Sequence, residues 1–142
     1  MKALSIRQPW ATFIANGEKT IECRSWQTPY RGEILVCASG RKMVCDDGLV
    51  FPAGVALCVI ELIGIHRMKK SDLAAACMQD FQPEELVDVM KGFAWEIRLK
   101  YPIIPFPVKG KLHIFEVDAE PQPLPSTYAD HLDYLCKSQG IG

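Results

Sequence analysis

The chain has 142 residues, 49% of them hydrophobic and 23% charged, with a formal net charge of −1. That suits one soluble globular domain with a real core, and it excludes a strongly basic, indiscriminate DNA binder. No charge-free apolar run approaches the roughly 20 residues of a membrane span. The N-terminus, Met1 to Pro9, lacks the apolar stretch of a signal peptide, which predicts a cytoplasmic protein.

The near-zero charge is unevenly spread. Residues 1–45 carry +4, 46–90 carry −5, 91–115 carry +4 and 116–142 carry −4. Two basic blocks that met in the fold would make a positive face suited to phosphate-bearing partners. The six cysteines form no Cys-x-x-Cys pair. In a cytosolic setting they read as reduced, buried small hydrophobes rather than zinc ligands or disulfides. No Gly-rich phosphate-cradling motif and no metal-ligand spacing is present, so neither cofactor nor metal is expected.

Ala3–Ile6 reads as a first strand. Gln8-Pro9-Trp10 then opens a helix of about eight residues, with Pro9 near its first position and Trp10, Phe13 and Ile14 on its buried stripe. Asn16-Gly17 ends it. The chain passes into Lys19–Trp26, where alternation puts Thr20, Glu22, Arg24 and Trp26 on one face and Ile21, Cys23 and Ser25 on the other. Such a face is either solvated, with Glu22 paired to Arg24, or a seat for a small planar polar ligand such as a nucleobase.

Glu33–Ser39 predicts a strand buried on both sides, followed by a loop carrying Arg41 and Lys42. Gly54–Ile65 is the longest β-like run, and Glu61 within it calls for a backbone or arginine partner, or faces a cavity. Ser71–Cys77 and Pro83–Met90 predict two acidic helices, the first capped by Ser71. Phe93–Leu99 alternates again. Pro102, Pro105 and Pro107 then argue against a central strand. Leu112–Val117 is a last strand. Pro121–Pro125 reads as a stiff linker and Ser126–Lys137 as a terminal helix packing through Tyr128, Leu132 and Leu135. With no βαβ rhythm, the expectation is an α+β fold, a small mixed β-barrel of five to six strands flanked by short helices. The barrel domain covers residues 1–118, and the linker and helix of 119–142 pack on it.

Leu4-Ser5-Ile6-x-Gln8-Pro9-Trp10-Ala11, followed by Gly17-x-Lys19-x-x-Glu22-x-Arg24-Ser25-Trp26-x-Thr28-Pro29-x-Arg31-Gly32, resembles the ASCH (activating signal cointegrator homology) family. Gly54–Glu61 and Pro107-x-Lys109-Gly110 resemble its later strands, so the likeness spans residues 3 to about 118. The resemblance implies a PUA-like barrel related to RNA-binding and modified-base-reading domains, with a cleft near Lys19, Glu22 and Arg24. It also implies a choice among RNA-binding or coactivator modules, ribonucleases and N4-acetylcytidine amidohydrolases. The amidohydrolase branch places a threonine nucleophile three residues after its lysine, where this chain has Glu22.

Three readings follow. In the first, the domain binds single-stranded RNA or a modified nucleoside. Gln8 lies in the cleft, and Trp10, Trp26 or Tyr30 stacks on a base. Glu22 accepts from a base N–H, Ser39 lines the site, and Lys19, Arg24, Arg41, Lys109 and Lys111 hold phosphates or carbonyl oxygens. In the second, a hydrolase uses Lys19 as base, Glu22 to handle a proton or water, and Arg24 as clamp, with Ser39 and Tyr30 nearby. His66, His113 and His131 stand apart from the motif and support no histidine-based mechanism. In the third, the acidic stretch 71–90 binds a protein partner.

Overall fold

In the computed structural model, which describes residues 1–125, the apolar alternation becomes one curled sheet. Its strands are β1 (Lys2–Arg7), β2 (Ile21–Arg24), β3 (Gly32–Ser39), β6 (Val55–Arg67), β7 (Phe93–Pro107) and β8 (Ile114–Glu116), and the short β4 (Met43–Val44) and β5 (Val50–Phe51) form a separate hairpin. The sheet order is β2-β7-β6-β3-β1-β8. Only β1 and β3 run parallel; every other neighbouring pair is antiparallel.

The predicted double burial of the second strong strand is found in β3. Ile34, Val36 and Ala38 face one apolar layer with Leu57, Ile60, Leu62 and Trp95. Leu35 and Cys37 face the other, with Ala3, Val59, Ile103 and Phe115. Three register shifts between β6 and β7 bend the sheet, because each breaks the ladder and increases local twist. The curl brings β2, at one edge, back toward β1 and β8. That gap is bridged by side chains: Arg24 Nη2 donates to the Ser5 carbonyl at 3.3 Å, and the Trp26 and His113 rings meet edge to face at 4.9 Å. The sheet is therefore a half-barrel. Glu61 finds its partner in Arg98 across β6 and β7.

Several expectations are corrected. The first helix, α1, spans only Trp10–Ala15, with Pro9 as its N-cap. The proline-bearing stretch does lie inside a central strand, for β7 sits between β2 and β6. The reason is geometric: β2 pairs only with Phe93–Glu96, so the prolines occupy a part of β7 that β2 does not reach. Gln122–Leu124 lies along that part instead, through Ile104 N to Gln122 O at 2.8 Å and Leu124 N to Pro102 O at 2.9 Å.

The two acidic helices are absent. The segment folds as short 3-10 turns at Lys70–Asp72, Pro83–Glu85 and Val89–Lys91. Asp72 turns inward, accepting the Lys69 N–H at 2.9 Å and pairing with His66 at 2.8 Å, and Cys77 takes a left-handed φ of 61°. Ala76 and Met78 thereby reach Ile21, Met68 and Ala94 from a turn rather than from a helical stripe. The expected helix over Ser126–Lys137 lies outside the described residues.

Candidate functional site

Gly17, at φ +86°, turns the chain out of α1 as glycine readily does, and the Lys19 N–H returns to the Phe13 carbonyl at 3.0 Å. This aims the Lys19 side chain inward, where the residue is 2% exposed. Its ammonium donates to the Ala76 carbonyl at 2.8 Å, lies 3.8 Å from Glu22 Oε1 and sits 4.9 Å from the centre of the Trp10 ring. Glu22 Oε2 accepts from Arg24 Nη1 at 3.2 Å, and the Arg24 guanidinium lies 5.7 Å from the Trp26 ring. A chain of alternating charge thus runs from the 75–77 turn through β2 to β1. Glu22 is 5% exposed, so its carboxylate is enclosed and meets a half-buried Arg24 rather than lying on a solvated face.

The open space lies next to this chain, at the end where β1 and β3 finish side by side with Arg7 opposite Ser39. A hollow of about 510 Å³ is lined by Ser5, Ser39, Gly40, Lys109, Gly110 and Lys111, among others. An adjoining hollow of about 350 Å³, sharing Ser39 and Gly40, adds Arg7, Gln8, Arg41, Lys42 and Met43. Together they present five cationic side chains and no carboxylate. None of the five has an ion-pair partner among the described residues.

Gln8 also braces this end of the fold. Its Nε2 donates to the Pro52 carbonyl at 2.8 Å, and its Oε1 accepts the Thr12 N–H at 3.0 Å. Ser5 is among the residues lining the larger hollow, but its Oγ is itself buried and without a hydrogen-bond partner, as is Arg24 Nε. Gly110 lies close against Ser5: a Cβ at 110 would fall 2.7 Å from Ser5 Oγ, so a larger residue there has to displace that hydroxyl.

The sequence-derived candidates therefore separate into two groups joined at Ser5. Lys19, Glu22 and Arg24 form the buried chain, flanked by Trp10 and Trp26. Gln8, Ser39, Arg41, Lys109 and Lys111 surround the open cleft. Trp10 packs against Phe13 and Phe81 at 6.1 and 5.8 Å. Trp26 stands edge-on to Trp95 at 4.8 Å, and its carbonyl accepts the Trp95 indole N–H at 3.1 Å. Tyr30 joins neither group. Its hydroxyl donates to the Glu33 carbonyl at 2.7 Å and its ring lies 6.0 Å from Lys2 Nζ, at the opposite end of β1 from the cleft.

Ser5, Arg7, Gly40, Lys42 and Gly110 were not singled out as site residues by sequence reasoning. The +4 charge of residues 1–45 and of 91–115 was the available signal, and the placing of Arg7 and Lys111 on adjoining hollows depends on strand pairing that no local pattern reveals. Cys23 lies on the other face of β2, with its sulfur 3.8 Å from Met68 Sδ. Burial pushes its thiol up to about 11, which suits an inert packing residue. Among the described residues no group of His, Cys, Asp and Glu is arranged to hold a metal ion, and no helix is long and apolar enough to cross a membrane.

The curled six-stranded sheet, with a short helix over one layer and a cationic cleft at the paired ends of β1 and β3, defines a class of small half-barrel domain. Residues 4–97 match the ASCH domain model, and the chain belongs to the ASCH domain family. It is 46% identical over 135 residues to mouse activating signal cointegrator 1, a match covering 82% of this chain and 22% of the relative. The human protein of that name is 46% identical over 39 residues, covering 28% of this chain and 7% of the relative. The chain thus spans about a fifth of the length of the mouse relative.

Among solved structures, an ASCH protein from Zymomonas mobilis superposes with a TM-score of 0.58 at 16% identity, over 93% of this chain and 92% of that one. A tyrosine-to-phenylalanine mutant of the Zymomonas mobilis protein gives 0.53 at 20% identity over 75% of each chain. At these identities the likeness is one of fold, and that fold is PUA-like.

Proposed function

We propose that this ASCH domain binds single-stranded RNA, or a nucleotide-sized piece of it, across the cleft between the Ser39–Met43 and Lys109–Leu112 loops. The observation that carries the reading is the charge of the lining. Arg7, Arg41, Lys42, Lys109 and Lys111 converge there with no carboxylate, on a chain whose net charge is −1. Concentrating unpaired cations in one concavity raises local affinity for a polyanion without making the whole surface sticky. The concavity itself has room for a base or a sugar, and the Ser39 hydroxyl in its lining offers both a donor and an acceptor.

In this reading Lys19, Glu22 and Arg24 act as architecture. Lys19 spends its ammonium on Ala76 and Glu22, and Arg24 ties β2 to the strand that floors the cleft. A base at Lys19 needs contact with a substrate proton, and the side chain is enclosed.

The test is a panel of single-stranded RNAs, modified nucleosides and acylated nucleosides, incubated with the full chain and read by mass detection of bound and cleaved species. Retention of RNA that weakens steeply with salt, without turnover, is the expected result. Product formation abolished by Lys19→Ala with the fold intact contradicts it.

A further inference from the structure

Leu112 is 85% exposed, the most exposed large hydrophobic side chain among the described residues, and it stands in the lining of the larger cationic hollow. Across the cleft the β4–β5 hairpin shows Val44 at 63% and Met43 at 39% exposure, directly after Arg41 and Lys42. Single exposed apolar side chains are ordinary on a protein surface; what sets Leu112 apart is its place on the rim of a hollow lined by Lys109 and Lys111.

Here the backbone holds one out. The next residue, His113, takes a left-handed φ of 58°, an uncommon conformation for a residue with a Cβ. Its ring is fixed against Trp26 at 4.9 Å. Gly110 presses the other side of the same loop onto Ser5. The loop is thus pinned at Gly110 and His113, and Leu112 projects between them at the rim of the hollow that Ser39, Lys109 and Lys111 also line.

We propose that Leu112 caps the exposed face of a base lodged in the hollow over Ser5, so that the ligand is a single-stranded stretch with one nucleotide splayed from its stack. This rests on the RNA reading above. An apolar side chain at the mouth of a concavity covers a flat heterocycle, which every base offers whatever its sequence, while the lysines on either side hold the flanking phosphates. A membrane surface would use the same apolar and basic pairing, but it has no need of a hollow with buried polar groups beneath it.

The test uses the full chain with a single-stranded RNA carrying one 2-aminopurine, the same RNA annealed to its complement, and phosphatidylglycerol vesicles. Binding of the single strand is expected to raise 2-aminopurine fluorescence several-fold, and the duplex is expected to bind more weakly. Leu112→Ser removes the rise and weakens single-strand binding about fivefold, the order expected for losing partial burial of one leucine side chain, with the salt slope unchanged. Leu112→Met restores both. If Leu112→Ser matches wild type in affinity and fluorescence while RNA is still held salt-dependently, the capping role alone is overturned. Equal duplex affinity, or vesicle binding that Leu112→Ser abolishes, also overturns it alone. Failure of the wild-type chain to retain any RNA at low salt overturns both readings.

Discussion

The Lys19 ammonium and the Ala76 carbonyl, 2.8 Å apart, fasten the Lys69–Lys91 segment to the half-barrel. The Thr20 and Ile21 N–H groups add to this by donating to Ala75 at 2.9 and 3.2 Å. The most chemically suggestive residue of the motif thus joins two pieces of backbone. Removing a buried charge leaves its partners unsatisfied, so Lys19→Met is expected to lower stability by about 3 kcal/mol. Urea denaturation measures that, and amide exchange should quicken first at Ala76–Met78. RNA affinity of the folded fraction stays near wild type. Unchanged stability with lost binding would place Lys19 at the ligand instead.

Arg24 uses one guanidinium nitrogen for Glu22 and another for the Ser5 carbonyl. Lysine brings a single ammonium and cannot reproduce that fork. Arg24→Lys is therefore expected to keep the ion pair and lose the bridge to β1, at a cost of about 1–2 kcal/mol in thermal or chemical unfolding. Full stability in the lysine variant would show that the bridge contributes little.

Under the proposed RNA reading the cleft cations hold phosphates, so their signature is a change in salt dependence. Arg41→Ala, Lys109→Ala and Lys111→Ala are each expected to reduce the slope of log affinity against log salt by about 0.7 for single-stranded RNA. Lys70→Ala, on the acidic segment, leaves the slope alone. Fluorescence polarisation over a salt series reads this directly.

Asp72 gives the fold an acid limit. Burial alone would raise its carboxyl, but the hydrogen bonds from His66 and from the Lys69 N–H, with their charges, outweigh that and hold it below the usual aspartate range. A depressed folded pKa means stability that is fully present above the unfolded value and is lost as pH falls through the folded one. Stability should therefore decline as pH drops below about 4, and Asp72→Asn should be less stable at neutral pH with a flatter acid limb. An identical acid profile in the two proteins contradicts this assignment.

Thiol reactivity should follow burial. Cys23 is pushed up to about 11 and Cys37 to about 12, and Cys58 is raised further still by full burial. At pH 8 these three are expected to resist iodoacetamide in the native protein and to label once urea unfolds it. Mass mapping of the modified peptides decides it. Native labelling at Cys23, which is half-buried, at the rate of an unfolded thiol would contradict the raised thiol assigned to it.

What could be read in advance was what short-range pattern controls. The double burial of β3, the shared face of Glu22 and Arg24 and the turn at Gly17 all follow from alternation and glycine chemistry. Alternation names a face, however, and not which way the sheet curls. The enclosure of Lys19 comes from a turn more than 50 residues later, closed over it by Ala76 and by Asp72 with His66. Helical spacing in 71–90 misled because Asp72 and Cys77 divert the backbone into separate turns. The prolines of β7 misled because a strand can be central along one part of its length and an edge along another. The cleft needed Arg7 beside Ser39, a parallel pairing of β1 with β3 that only the assembled sheet supplies.

Amide hydrogen exchange of the full chain, with and without saturating single-stranded RNA, tests the central claim most directly. The account predicts slowed exchange at residues 39–43 and 109–112 and no change at 70–90. Protection confined to 70–90, or none at either loop while RNA is bound, would contradict it.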